Sequence, residues 1–214
     1  MARGLRRGRR PRRGDQACVG RGRRRRTGRP LRPSGATGLS PSADIASALA
    51  TDRLRLREFR DDDLDVLAAM VGDDEQMTFY PRPKTRDEAA AWIRRNRELY
   101  VTHGFGTWLI EVLPHARFAG YCGIRPLELE QVSEVEIGWH VHKHFWKQGI
   151  ATEAAALACR AAATHFGLAR LVALVHPDHI ASRRVAQNVG MRCERTTVLE
   201  ADYPAIVYAA ALRG

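Results

Sequence analysis

The pattern of apolar and polar positions predicts alternating strands and helices from about Thr51 onwards. Strict alternation along residues 134–141 is typical of a strand with one buried face, and the nearly all-apolar run Leu171–Val175 indicates a strand inside the sheet. Apolar residues at helical spacing follow the capping box Thr85-x-x-Glu88 and recur along residues 150–166. In chain order the pattern predicts one strand, two helices, three strands, a helix, a strand, a helix and two strands. This order is an α/β sandwich around a mixed sheet.

The turn between the strand ending near Val141 and the helix beginning at Ile150 carries the most specific chemistry. It is short and basic, with Gly149 at its tightest point and the small residues Ala151 and Thr152 directly after it. Such a turn leaves the first backbone N–H groups of the helix unpaired, and the helix dipole adds partial positive charge there. It therefore predicts a cradle for a phosphate or pyrophosphate. It matches neither the Gly-x-x-x-x-Gly-Lys-Ser/Thr loop nor the glycine triplet of dinucleotide-binding folds.

Four motifs, in the expected order, resemble those of the GNAT N-acetyltransferases, in particular the branch of the ribosomal-protein-alanine acetyltransferases. Glu-Ile-Gly-Trp at 136–139 and Trp-Lys-Gln-Gly-Ile-Ala-Thr-Glu-Ala at 146–154 resemble the family's acetyl-CoA signature. The first strand at 52–57, the hairpin segments at 104–108 and 118–124, and His-Ile-Ala-Ser-Arg-Arg-Val at 179–185 with Val-Gly-Met at 189–191 resemble its other motifs. The resemblance covers about residues 51–212. It implies a mixed, mostly antiparallel sheet flanked by helices, with a splay between the fourth and fifth strands.

The resemblance also implies the reaction, which is acetyl transfer from acetyl-CoA to a primary amine by direct attack in a ternary complex. A backbone N–H near Val141 would hold the thioester carbonyl, and the pantetheine arm would lie in the gap between the splayed strands. Glu136 would either remove the proton of the amine or only bind its cation, and both roles stay open. The cofactor-binding residues implied by the resemblance are Val141, Gln148, Gly149, Ile150, Ala151, Thr152, His179 and Ser182.

Two positions depart from the family pattern. Ala186 stands where many GNAT enzymes have a Tyr that protonates the departing thiolate. Either Ser182 substitutes for it through a water or the thiolate leaves unprotonated, so the expected catalytic residues are Glu136 and Ser182. His179 replaces the usual Asn, although a histidine can still donate one hydrogen bond to the CoA arm.

Three histidines, His140, His142 and His144, alternate along the sequence as ligands of a zinc ion could. His144 falls in the predicted turn, however, and the resemblance supplies no metal. No metal site is therefore expected.

Charge separates the first 50 residues from the rest of the chain. Residues 1–33 contain fourteen arginines and one acid, whereas the remainder contains 21 basic and 23 acidic residues. Residues 1–50 are rich in Arg, Gly and Pro and poor in large apolar residues, which predicts a disordered tail and linker before an acetyltransferase domain at 51–214. Arginine runs bind phosphate backbones, so a weak nucleic-acid contact through residues 1–33 is one interpretation. The other is an extension without function, which the bias of three Lys against 32 Arg favours.

A rival function follows from the same tail, namely a nucleic-acid- or ribosome-binding protein with a weakly active GNAT scaffold. No apolar run is long enough for a secretory signal or a membrane span. The four cysteines form no Cys-x-x-Cys pair, which favours buried or free thiols in a reducing cytosol. The sequence thus predicts a cytoplasmic protein without a membrane partner. It does not distinguish a small-molecule amine from a protein N-terminus as acceptor, and the oligomeric state stays open.

Overall fold

The computed structural model describes residues 43–199 and 202–212, which form a seven-stranded sheet packed against five α-helices. The strands are β1 Leu54–Arg57, β2 Thr107–Val112, β3 Arg117–Leu129, β4 Val132–Val141, β5 Arg170–Val175, β6 Arg192–Leu199 and β7 Tyr203–Ala211. The helices are α1 Ala43–Ala48, α2 Leu64–Val71, α3 Arg86–His103, α4 Ile150–Thr164 and α5 Ile180–Asn188. Short 3₁₀ turns at Asp61–Asp63 and Lys143–Phe145 lead into α2 and into the turn before α4.

The strands lie in the order β1-β2-β3-β4-β5-β7-β6, and β4 and β5 are the parallel pair in an otherwise antiparallel sheet. The predicted α/β class with a mixed, mostly antiparallel sheet is confirmed, and the predicted order of elements from β1 onwards is found. The capping box that begins α3 forms as expected. Thr85 Oγ1 accepts the N–H of Glu88 at 3.2 Å, and the Glu88 carboxylate accepts the N–H of Thr85 at 2.8 Å.

Alternate residues of β2 belong to two different apolar clusters, which lie on opposite faces of the sheet. Trp108 and Ile110 join the larger cluster, to which α4 and α5 contribute, whereas Leu109 joins the cluster under α2 and α3. Helix α4 is rich in buried alanines on its inner face, so that it packs close to β3 and β4. This close packing fixes the start of α4 at the end of β4.

The first described element begins before the boundary that the sequence suggested. Helix α1 starts at Ala43, and Leu49 directly after it is 3% exposed and belongs to the larger core cluster. The N–H of Leu56 on β1 donates to the carbonyl of Leu49 at 2.8 Å. Ile45 and Leu49 therefore pack on the core ahead of the expected boundary at Thr51, which stays a prediction. The arginine-rich residues 1–33, with their expected disorder and nucleic-acid contact, lie outside the described residues.

Within the described part of the chain, no helix is both long enough and apolar enough to cross a membrane. The expected cytoplasmic location stays a prediction. Cys122 and Cys159 carry free thiols, as expected, and Cys122 is buried. Cys193 is disulfide-bonded, so the expectation of a buried or free thiol was wrong for that residue.

Candidate active site

The turn before α4 has the backbone geometry of an anion cradle. Gly149 has φ +79° and stands at the N-cap of α4, where no side chain caps the helix. The first helical hydrogen bond runs from Glu153 N–H to Gly149 O at 3.1 Å, so the N–H groups of Ile150, Ala151 and Thr152 precede the helical ladder. A Cβ added to Gly149 would meet a single neighbour, Arg53 Nη2, at 3.7 Å. The space above these three N–H groups is therefore open to a ligand.

The shape of this turn is held by hydrogen bonds within it. The indole N–H of Trp146 donates to the carbonyl of Val141 at 2.7 Å, and the side-chain amide of Gln148 donates to the carbonyl of His144 at 2.9 Å. Lys147 has φ +62°, a second left-handed residue directly beside Gln148. The side chain of Gln148 is thus used inside the turn, which leaves its backbone for any contact with a ligand.

The start of the domain supports the turn from the other side. Thr51 Oγ1 donates to Glu153 Oε1 at 2.6 Å, and Arg53 Nε donates to Glu153 Oε2 at 2.9 Å. Both terminal nitrogens of Arg53 also lie 3.4 Å from the carbonyl of Gln148. Partial burial raises the pKa of Glu153, but the hydrogen bonds from Arg53 and Thr51 outweigh it and hold this pKa below its usual value. The ionised Glu153 therefore fixes Arg53 at the rim of the cradle.

Strands β4 and β5 separate after a single pair of residues in register, Glu136 and Val172. On its other side β4 stays paired with β3, and His142 just beyond its end donates its N–H to a β3 carbonyl at 2.8 Å. Because N–H directions alternate along a strand, the N–H groups of Trp139 and Val141 point away from β3, toward β5. They face the gap between the two strands, and the predicted splay is confirmed.

The carboxylate of Glu136 lies on the polar face of β4, 12% exposed, opposite Arg125 of β3. Arg125 Nη2 is 2.5 Å from Oε2 of Glu136, so the two side chains form a close ion pair across the β3–β4 ladder. Burial raises the pKa of Glu136, and the positive charge of Arg125 limits this rise. The site thus presents a mostly buried carboxylate on which burial and the charge of Arg125 act in opposite directions.

His140, on the same face of β4, is held as a neutral ring. Its Nε2 lies 3.1 Å from the backbone carbonyl of Gln76, which can only accept, so Nε2 carries the proton. Its Nδ1 then accepts the hydroxyl of Tyr121 on β3 at 3.2 Å, and the ring stacks on Tyr80 with centroids 5.2 Å apart. Burial lowers the pKa of His140 to about 4. Both nitrogens are occupied, so His140 has no free atom for a metal ion or for base catalysis.

The loop between α2 and α3, residues 72–85, covers this polar face. Lys143 joins it to the end of β4 through ion pairs with Asp73 at 2.7 Å and Glu75 at 3.0 Å. The hydroxyl of Tyr203 on β7 donates to the carbonyl of Phe79 at 2.7 Å. Two acids of this loop, Asp73 and Glu75, are therefore paired with Lys143.

The expected residues of α5 lie across the gap from β4. Ser182 Oγ accepts the indole N–H of Trp139 at 3.1 Å. The ring of His179 stacks on Phe79 with centroids 4.1 Å apart, and no hydrogen bond of its side chain caps α5. Ala186 is fully buried in the larger core cluster, so this position offers no donor to a thiolate.

The histidine hypothesis finds no support in the geometry. The rings of His142 and His144 lie 4.7 Å apart, but His140 points into the contacts described above. In residues 43–199 and 202–212 no group of three His, Cys, Asp or Glu side chains is arranged to hold a metal ion.

Sequence reasoning missed the residues that surround the predicted ones. Arg125 could have been found as the partner of Glu136 only from the register of β3 against β4, because Arg125 and Glu136 are eleven positions apart in a hairpin. Trp139 was noticed as part of a motif but not as the partner of Ser182, 43 residues away. The contacts of Gln76 and Tyr80 depend on how the 72–85 loop folds back, for which the sequence carried no signal.

Comparison with known proteins supports one family. A model of the acetyltransferase (GNAT) domain matches residues 53–192. YkkB of Bacillus subtilis is 32% identical over 149 residues, which are 69% of this chain and 87% of that protein.

Solved structures agree on the fold. An acetyltransferase from Agrobacterium tumefaciens superposes with a TM-score of 0.67 at 23% identity, over 76% of this chain and 92% of that one. The ribosomal L7/L12 α-N-protein acetyltransferase RimL, solved in complex with coenzyme A, gives a TM-score of 0.62 at 20% identity, over 76% and 96%. The chain belongs to the GNAT acetyltransferase family.

Proposed function

We propose that this chain is an N-acetyltransferase that moves an acetyl group from acetyl-CoA to a primary amine in a ternary complex. Family membership supports acetyl transfer with acetyl-CoA as the co-substrate. The observation that carries the proposal lies in one strand-turn-helix unit, residues 132–164. This unit offers unpaired N–H groups at its turn and gap, and the mostly buried carboxylate of Glu136 on its strand.

The pyrophosphate of acetyl-CoA would bind at the start of α4, on the N–H groups of Ile150, Ala151 and Thr152. Three outward N–H groups and the helix dipole suit a doubly charged anion. Gly149 keeps the space above them free, and Gln148 contributes its backbone. His179 would border the CoA arm from α5, with its ring held by Phe79.

The thioester carbonyl would accept the N–H of Val141, which faces the gap. A fixed N–H donor stabilises the negative charge that develops on this oxygen during attack by the amine. As the C–S bond breaks, sulfur keeps the electron pair, and the hydroxyl of Ser182 donates a hydrogen bond to it.

Glu136 would remove the proton of the amine, directly or through a water. Its buried environment favours the protonated carboxyl, which gives the carboxylate the affinity for a proton that a base needs near neutral pH. The positive charge of Arg125 opposes this preference and favours the ionised carboxylate. A role in cation binding alone is the alternative, and the pH profile described in the Discussion separates the two.

The acceptor would reach Glu136 under the 72–85 loop. A cavity of about 270 Å³ opens beside Tyr80 and Tyr121, with Leu67, Met77 and Trp92 among its lining residues. The apolar and aromatic walls of this cavity suit an amine that carries an apolar or aromatic substituent.

The test is a screen of amines with detection of the free thiol of CoA. It should contain matched pairs with and without an apolar substituent, and peptides with a free N-terminus. Acetylation of at least one amine, with apolar members preferred, is the expected result. Thioester hydrolysis without any acetylated product would contradict the proposal.

We also propose that the acetyltransferase domain begins with α1, at about residue 43, and extends to the end of β7. The packing of Leu49 in the core supports this limit.

A further inference from the structure

A single side-chain hydrogen bond joins β4 to α5 within the described residues. The indole Nε1 of Trp139 lies 3.1 Å from Oγ of Ser182, and the bond spans the gap that opens between β4 and β5. Trp139 is half-buried and packs on the larger core cluster, so its indole is held in place. Ser182 is half-buried as well, one helical turn before the buried Ala186 in α5.

The chemistry of the two groups fixes the direction of this bond. An indole N–H can only donate, so the Ser182 oxygen must accept. The proton of the Ser182 hydroxyl is then left for another acceptor, and no described residue accepts it. A serine hydroxyl that already accepts one hydrogen bond is also a better donor, because successive hydrogen bonds polarise one another.

We infer that Trp139 is a positioning residue that orients Ser182 as a hydrogen-bond donor to the departing thiolate of CoA. This inference rests on the proposed function, since it needs a thiolate in the gap. No proton changes owner in this step: the C–S bond breaks, sulfur keeps the electron pair, and the Ser182 hydroxyl keeps its proton while donating to sulfur.

The same residue would then serve the reaction twice. The backbone N–H of Trp139 faces the gap beside that of Val141, and its side chain reaches the opposite wall of the gap. With Ala186 buried, Ser182 is the α5 hydroxyl that Trp139 holds at this gap. A free serine side chain rotates among three staggered rotamers, and the bond from the indole favours one of them before the substrate arrives.

A purely structural role of Trp139 makes different predictions. If the bond only ties α5 to β4, then losing it should lower stability or acetyl-CoA binding whether or not residue 182 carries a hydroxyl. If Trp139 acts through Ser182, its removal should slow turnover only while that hydroxyl is present.

The experiment is a double-mutant cycle on the full chain with Trp139→Phe and Ser182→Ala. Phenylalanine keeps an aromatic ring and removes the N–H. Each single variant should lower kcat about tenfold with KM for acetyl-CoA nearly unchanged, the scale of one hydrogen bond to a charged group. The double variant should be no slower than Ser182→Ala. Losses that multiply, or a Trp139→Phe variant with wild-type kcat, would overturn the inference.

A second measurement reports the hydrogen bond itself. The indole N–H signal of Trp139, assigned by its loss in Trp139→Phe, should shift in the ¹⁵N spectrum of Ser182→Ala in the absence of substrate. An unchanged signal would overturn the inference without touching the proposed function. Failure of the wild-type protein to acetylate any amine would instead refute the proposed function.

Discussion

The turn before α4 and the polar face of β4 belong to one continuous segment, yet they prepare their ligands by different means. The turn offers backbone N–H groups and needs side chains only to be small, as at Gly149 and Ala151. The face of β4 depends on side chains brought from β3 and the 72–85 loop, including Arg125 and Tyr121. Under the proposed function, acetyl-CoA would thus be bound by local backbone geometry, whereas the acceptor would be bound by tertiary contacts. The geometry of the turn follows from consecutive residues, whereas the contacts on β4 come from residues far apart in the sequence.

The largest expected effect tests the backbone N–H groups of the turn before α4. Gly149→Glu should weaken acetyl-CoA binding at least about 100-fold, because a carboxylate would stand at the open end of the α4 dipole and repel the pyrophosphate. Gly167→Glu is the matched control. It lies beyond the other end of α4, also has a left-handed φ of +60°, and has open space around its Cα. Calorimetry should show normal binding for the control, and equal weakening in both variants would refute the assignment.

The next effect concerns Glu136. Glu136→Gln keeps the shape and removes the basicity, so kcat/KM should fall about 100-fold, the usual scale of general base catalysis. The loss should be partly recovered at high pH, where more of the amine is already neutral. A variant that mainly raises KM for the amine, without recovery of kcat at high pH, would show that Glu136 only attracts the cation.

A smaller effect tests how Arg125 tunes that carboxylate. Burial raises the pKa of Glu136 and Arg125 lowers it, so Arg125→Met should raise this pKa further. The acidic limb of the pH profile of kcat/KM should then move about one unit toward higher pH, with a plateau close to that of the wild type.

Arg125→Lys keeps the charge, so the acidic limb of the kcat/KM profile should return most of the way to its wild-type pH. The other ionisable groups around Glu136 are the hydroxyls of Tyr80 and Tyr121, which stay neutral because their pKa values are raised by burial. An acidic limb that does not move in Arg125→Met would show that another group is the base.

The smallest expected effect concerns the segment that supports the turn. A chain beginning at residue 43 should be more stable than one beginning at Thr51, because the shorter chain loses the buried Leu49. Burial of one leucine is worth about 2 kcal/mol, which corresponds to a melting temperature lower by roughly 5 °C. Thermal unfolding of both truncations measures this difference. Equal melting temperatures would contradict a domain start at residue 43 and support a start at residue 51.

The contrast also explains how much the sequence could predict. Strand alternation, the Thr85 capping box and the helical spacing of α4 are local signals, and all of them appear in the fold. The left-handed Gly149 was recognisable because a strand, a tight turn and a helix meet within a few residues. Helix α1 was missed, since its short run of small residues resembles a linker until Leu49 is seen to pack on the sheet.

The side-chain part of the site could not be predicted for a physical reason. Glu136 was identified from its motif, but its pairing with Arg125 depends on strand register, and its burial depends on tertiary packing. His140 was considered as a metal ligand, whereas the Gln76 carbonyl and the Tyr121 hydroxyl occupy both of its nitrogens. Such assignments require coordinates of residues up to 64 positions apart.

Hydrogen–deuterium exchange with and without acetyl-CoA tests the central claim most directly, because it observes the backbone N–H groups themselves. In the free protein the amides of residues 150–152, and those of Trp139 and Val141 at the gap, lack strand or helix partners and should exchange quickly. Saturating acetyl-CoA should slow exchange in peptides covering 137–142 and 148–153, with much smaller changes in α3. Binding of acetyl-CoA that leaves both peptides unprotected would contradict the account.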